Sequence, residues 1–162
     1  MKTLSVYIHI PFCVHKCNYC DFLSAPATEA ARKQYVEALK REIMQESLQC
    51  KEYSVDTVFF GGGTPSILKG EEITECMETL RQYYQVSPDA EVTLEMNPGT
   101  ADRNKLQILK KAGINRLSLG LQSTEDSLLR ILGRIHTYEE FLQVYQDARE
   151  LGFDNINIDL MS

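Results

Sequence analysis

Across 162 residues, short apolar runs of strand character alternate with helical patterns from one end to the other. That alternation constrains the fold more than any other feature. Residues 4–10, 55–60, 91–96, 116–121 and 155–160 have the length and apolar, often β-branched, character of strands. Between them, apolar residues return at helical spacing. Thr28 is a candidate N-cap for a helix reaching about residue 49, with Tyr35, Val36, Leu39, Ile43 and Leu48 on one face. Ile73, Cys76, Met77, Leu80 and Tyr84 mark a second helix to about residue 85, and Ser87-Pro88-Asp89 reads as the turn into the next strand. A third helix, residues 102–112, ends at Gly113, where a left-handed residue is needed. Ser123-Thr124-Glu125-Asp126 reads as a capping-box variant opening a helix that stops at Gly133. Thr137-Tyr138-Glu139-Glu140 is a cleaner box, opening a helix with Phe141, Val144, Ala148 and Leu151 that stops at Gly152.

Five strands alternating with five helices imply right-handed βαβ units and an α/β fold with a parallel sheet covered by helices. An open doubly wound sheet and part of a (βα) barrel both satisfy the pattern. In either, polar residues at the strand C-termini gather on one edge, where such folds carry their sites. With nothing after the fifth strand its far edge would be bare, so the sequence is expected to be part of a longer protein.

Composition narrows the chemistry. The net charge is −6 with no Lys/Arg cluster, so nucleic-acid binding through a basic face is not expected. No apolar run approaches the roughly 20 residues of a membrane span, and the chain enters its first strand without a signal-peptide core. The expected location is cytoplasmic. Five cysteines, an odd number, argue in a reducing compartment for metal chemistry over a disulfide framework. Cys50 and Cys76 sit in helical patterns and read as ordinary thiols.

The other three, Cys13, Cys17 and Cys20, stand as C-x3-C-x2-C just after the first strand. Three thiolates on one loop can hold three corners of a 4Fe–4S cube and leave the fourth iron open to a small chelating molecule. With His9 or His15 the same cysteines would also suit a tetrahedral zinc site, and a redox or fortuitous cluster is the third reading. The second strand delivers Gly61-Gly62-Gly63-Thr64-Pro65 to the same edge, a loop whose backbone can approach a ligand or simply turn tightly. Glu95, Gln122 and Asp159 follow at later strand ends, with Arg134 after the fourth helix. Each alone reads as a solvated polar residue. Together they suit a zwitterionic nucleoside: carboxylate for ammonium, arginine for carboxylate, Gln or Asp for ribose hydroxyls. His9, His15 and His136 read as structural.

Residues 7–13, the cysteine loop with Tyr19 before its last cysteine, Phe59-Phe60-Gly61-Gly62-Gly63-Thr64-Pro65 and Glu95-Met96-Asn97-Pro98 resemble the radical S-adenosylmethionine (SAM) enzymes of the oxygen-independent coproporphyrinogen III oxidase group. The resemblance runs in order along essentially the whole chain. Within that group the sequence is most similar to the HemW-type haem chaperones. The oxidases carry a further cysteine two residues after the third, where this chain has Phe22. The resemblance implies a partial TIM-type barrel, (βα)6, followed by a C-terminal domain, with residues 1–162 as an incomplete radical SAM core. It implies a 4Fe–4S cluster on Cys13, Cys17 and Cys20, with SAM on the open iron. Tyr7, Tyr19, Gly62, Gly63, Thr64, Glu95, Gln122, Arg134 and Asp159 match family positions that contact SAM, some of them a second SAM in the oxidases. The implied chemistry is electron transfer from the cluster into the sulfonium, giving a radical that abstracts hydrogen. Implied partners are haem or a porphyrin, an electron donor and a haem-acceptor protein. The implied alternatives are a haem chaperone and an oxidase that decarboxylates coproporphyrinogen III; a zinc module without radical chemistry is the third.

Overall fold

The structure is a computed structural model that describes residues 2–161. Its elements are β1 (Lys2–Ile10), α1 (Glu29–Glu46), β2 (Tyr53–Gly62), α2 (Gly70–Tyr83), β3 (Gln85–Met96), α3 (Arg103–Ala112), β4 (Arg116–Gln122), α4 (Asp126–Leu132), α5 (Tyr138–Glu150) and β5 (Asn155–Leu160). All five strands are parallel and lie in the order β1-β2-β3-β4-β5.

That order decides between the two architectures left open above. Right-handed crossovers that always step the same way put every helix on one face. Side-chain alternation agrees. Ile8, Ile10, Val58, Phe60, Val92, Leu94, Met96, Leu117, Leu119 and Leu121 are buried on the helix-covered face. The alternate positions, His9, Gly61, Glu95, Gly120 and Asp159, lie on the other face, which no helix covers. A parallel sheet with one helical coat and a polar inner face is part of a (βα) barrel, not a doubly wound sheet.

The coat is continuous: α1 packs on α2, α2 on α3, and α3 on α5. Ile73, Cys76, Met77 and Leu80 of α2 and Leu106 and Leu109 of α3 are fully buried. In that setting burial pushes the Cys76 thiol up to about 12, which makes it an inert core residue. Caps follow the sequence at three helices. Thr28 Oγ1 accepts from Ala31 N–H at 3.2 Å, and Gly113 is left-handed at φ 94°. Thr137 and Glu140 form the reciprocal box, the Glu140 carboxylate accepting from Thr137 N–H at 2.7 Å.

Four local expectations are corrected. Ser87-Pro88-Asp89 does not precede β3 but bulges within it. Val86 already pairs with Val55, the register then jumps to Thr57 opposite Glu91, and Pro88 has no N–H for a ladder. Leu48 is not on the α1 stripe; the 3-10 turn Ser47–Gln49 rotates it off, leaving it 68% exposed. Tyr84 lies just past α2, as its C-cap. The Ser123 box does not form either. Its hydroxyl accepts from Glu125 N–H at 3.1 Å, while Asp126 spends its carboxylate on Tyr138 N–H at 2.8 Å and so ties α4 to α5.

Candidate functional site

The cysteine loop, residues 11–28, is pinned at three places. Cys13 N–H donates to Ala25 O at 3.2 Å and Ala25 N–H to Pro11 O at 3.1 Å, closing the loop on itself. The glycine loop after β2 donates to its start, Gly63 N–H to Ile10 O at 2.9 Å and Thr64 N–H to Phe12 O at 2.7 Å. Its middle is held by α4: Asn18 donates from its backbone to Leu132 O at 3.0 Å and from Nδ2 to Ile131 O at 2.8 Å. Those carbonyls end a helix and lack an intrahelical partner, so Asn18 satisfies α4 while fixing the loop.

Close approach is why glycine occupies positions 62 and 63. Gly62 has φ 120°, and a Cβ there would lie 2.8 Å from Ile10 O and from the His9 ring. A Cβ on Gly63 would lie 2.6 Å from Phe12 O and 2.9 Å from Cys13 Sγ. Thr64 Oγ1 donates to Cys13 Sγ at 3.5 Å, so the glycine loop wraps one thiol on two sides.

A cleft of about 160 Å³ opens at the C-terminal edge of the sheet. Cys13, Cys17 and Cys20 line it beside Tyr19 on one side, and Gly62, Gly63 and Thr64 form its floor. Glu95, Gln122, Arg134 and Asp159 complete the lining, with Arg134 against Cys17 and Tyr19. Tyr7 is the predicted residue that does not line it. Its exposed ring stacks on Phe59, 6.1 Å between centroids, and its hydroxyl pairs with His9 Nδ1 at 3.0 Å, farther down the inner face.

Electrostatics in the cleft follow from these neighbours. Glu95 accepts from Gly62 N–H at 3.1 Å. Burial raises its carboxyl above the usual range; the Gly62 bond opposes this, and Asp159 pushes it further up. Asp159 is oriented by Asn157 Nδ2 at 2.7 Å and Ser118 Oγ at 3.3 Å. Arg134 donates through one terminal nitrogen to Cys17 Sγ and to Tyr19 Oη, each at 3.4 Å, and through the other to Gly120 O at 2.6 Å. Desolvation raises the Tyr19 phenol while Arg134 pulls it down. Gln122 ends β4 at φ 72°, the sole left-handed non-glycine among the described residues, a strain of the kind concentrated at sites.

The donor set fits a cluster and a small zwitterion. Arg134 Nε is buried with no hydrogen-bond partner, an orphaned donor at the cleft wall. Among the described residues no three His, Cys, Asp or Glu gather closely enough for one metal ion.

Some lining residues were not singled out from the sequence. Ser118, Asn97, Thr100 and Gly120 line the cleft, and Asn157 stands behind Asp159. The signal for Ser118 and Gly120 was present, because they share the inner-face alternation of β4. Asn97 stood in the Glu95-Met96-Asn97-Pro98 motif without a role of its own, and Thr100 carried no signal, because its position depends on a 3-10 turn, Pro98–Thr100.

The three histidines part company. His15 is exposed on the cleft rim, and His9 is half-buried beside Tyr7. His136 is core, 3% exposed, with its pKa pushed down to about 4, first by desolvation and then by Arg134. The unfolded chain, near 6.5, therefore binds more protons than the folded one between these values, and stability falls as pH drops through the window. The expected loss from pH 7 to pH 4.5 is about 2 kcal/mol. Glu95, raised, works in the opposite sense. Denaturant midpoints of native protein and His136→Phe across this range check it: the difference between the two should close by that amount as pH falls.

The chain belongs to the Radical SAM superfamily, whose family profile matches residues 7–162. Among curated relatives it is 40% identical over 158 residues to heme chaperone HemW of Bacillus subtilis (strain 168), covering 97% of this chain and 42% of that protein. It is also 40% identical over 162 residues to heme chaperone HemW of Escherichia coli (strain K12), covering 99% of this chain and 43% of that one. The chain thus spans about two-fifths of the length of these relatives. Among solved structures, coproporphyrinogen III oxidase (HemN) from Escherichia coli, a radical SAM enzyme, superposes with a TM-score of 0.92 at 33% identity, over 98% of this chain and 37% of that one. The partial barrel is therefore the radical SAM core fold. Among the described residues no helix is long and apolar enough to cross a membrane.

Proposed function

We propose that this chain is the cluster- and SAM-binding part of a HemW-like haem chaperone, and that residues 1–162 are an incomplete radical SAM core domain. The observation that carries the reading is one cleft uniting three cysteines, a glycine loop and the Glu95, Arg134, Gln122 and Asp159 side chains. Cys13, Cys17 and Cys20 would hold three irons of a 4Fe–4S cluster, and SAM would chelate the fourth. When bound, that pair supplies one-electron chemistry at the sulfonium.

The chain's own residues do the rest. Glu95 offers a carboxylate to the ammonium of SAM and Arg134 a guanidinium to its carboxylate. Gln122 and Asp159 offer partners to ribose hydroxyls, with Tyr19 and the Gly62–Thr64 backbone completing the walls; Tyr7, outside the cleft lining, would contribute only by a shift of its ring toward the ligand. Haem or a porphyrin is the cargo, delivered to an acceptor protein, with a cytoplasmic electron donor. The relatives named heme chaperone HemW support this.

The likeness to HemN favours a second reading, oxidative decarboxylation of coproporphyrinogen III. Phe22, where the oxidases carry a cysteine, speaks for the first. The test is anaerobic reconstitution followed by EPR of the dithionite-reduced protein with and without SAM. A cluster signal that SAM perturbs is expected. Stoichiometric zinc without a cluster would overturn the reading, and turnover of coproporphyrinogen III would move it to the oxidase.

A further inference from the structure

Behind the cleft, the loops after β2 and β3 are joined by a polar clasp whose two inner members, Ser66 and Lys105, do not line it. Lys105, in the first turn of α3, is half-buried. Its Nζ donates to Ser66 O at 2.6 Å and to Thr100 O at 2.9 Å, one carbonyl from each loop. Ser66 is 1% exposed and accepts from Asn97 N–H at 3.1 Å. The Thr100 hydroxyl donates to Asn97 O at 2.7 Å, so the proton between Ser66 Oγ and Thr100 Oγ1 must come from Ser66. The Ser66 and Thr100 hydroxyl hydrogens then each have one acceptor, and two of the three Lys105 ammonium hydrogens are taken up by the two loops.

The loops so joined carry the cleft. Ser66 follows Thr64 by two residues, and Asn97 follows Glu95 by two. Between them runs the Gly62 N–H to Glu95 carboxylate bond, the direct link across the cleft floor. Among the described residues Lys105 makes no ion pair; its ammonium is held by main-chain carbonyls alone. Burial disfavours that charge, and Asp102 opposes the effect only in part. An ammonium partly desolvated without a counter-charge is an inefficient way to hold a core together. As a fixed-length brace between two backbones it is well suited, because it demands both carbonyls at hydrogen-bond distance at once.

We propose that Lys105 is a positioning residue for the SAM cleft, bracing the Gly62–Thr64 loop against the Asn97–Thr100 loop so that the glycine backbone and the Glu95 carboxylate meet the ligand together. This rests on the SAM reading above. The test uses SAM itself and the cluster EPR signal. Reconstituted Lys105→Met is expected to keep wild-type iron content and the SAM-free spectrum, while half-saturating SAM rises about tenfold. Lys105→Arg, which can still reach two carbonyls, should recover most of that loss. Ser66→Ala, a smaller deletion, should move the same way and serves if Lys105→Met does not fold. Unchanged SAM half-saturation in a folded variant would overturn the proposal, as would loss of cluster in step with SAM. Wild-type protein whose cluster ignores SAM would instead overturn the cofactor reading beneath it.

Discussion

Gly62→Ala is expected to be among the most damaging single changes in the chain, destabilising it by about 3 kcal/mol or more and preventing cluster assembly. Two independent penalties combine. At φ 120° an L-residue is strained in isolation, by about 1–3 kcal/mol. The added methyl also meets Ile10 O and the His9 ring at 2.8 Å, and a backbone oxygen in a parallel sheet cannot swing aside as a flexible side chain can. Overpacking of that kind adds about 1–3 kcal/mol. Relief by backbone movement would pull Gly62 N–H off Glu95 and shift Gly63, which abuts Cys13 Sγ. Gly63→Ala provides the comparison. Its φ is not left-handed, so it carries the clash without the dihedral strain and should cost less stability while disturbing Cys13 more directly. Urea midpoints and iron per chain after reconstitution separate the two effects. A Gly62→Ala protein with native midpoint and full iron would show that the loop is looser than its contacts imply.

The same glycines mark how far the sequence could be read. Strand and helix patterns place the five βα repeats, because a period of two or of 3.6 is written in the identity of local residues. Strand order is not local. The choice of barrel over doubly wound sheet rests on where Thr93, Glu95, Ser118 and Gly120 point once Leu94, Leu117 and Leu119 are committed to the helices. Those inner positions look like ordinary polar alternation until the order is known. Turn chemistry was the weaker guide. Ser87-Pro88-Asp89 has every mark of a turn but bulges within β3, because long-range pairing of Gln85 and Val86 carries the strand through it. At Ser123 a plausible cap lost to Asp126, whose carboxylate found a partner 12 residues away. The cleft shows the same division. Cysteines and glycines announce themselves by spacing, whereas Asn18, Ser66 and Lys105 act through contacts with α4 or across loops that no local pattern records.

Arg134→Met is expected to weaken SAM binding about 100-fold and also to lower the potential of the cluster. Both follow from one side chain serving several partners. Within the cleft Glu95 and Asp159 supply carboxylates, and Arg134 is the cation lining the same wall. Its loss leaves a ligand carboxylate without a counter-charge in a partly desolvated site, the kind of truncation that costs about 2–5 kcal/mol. The same guanidinium donates to Cys17 Sγ and Tyr19 Oη, and hydrogen bonds to cluster sulfurs stabilise the reduced, more negative state. Removing the donor therefore makes reduction harder. Methionine fills the volume but offers neither charge nor donor, and Gly120 O loses its 2.6 Å partner. Arg134→Lys divides the two roles. It restores the charge, so SAM binding should partly return. A single ammonium cannot span Cys17, Tyr19 and Gly120 as the planar fork does, so the potential should stay low. EPR-monitored redox titration and SAM half-saturation on the three proteins give the two readouts separately. Equal recovery of both by lysine would mean that Arg134 acts through charge alone, and its contact with Cys17 would then carry no function.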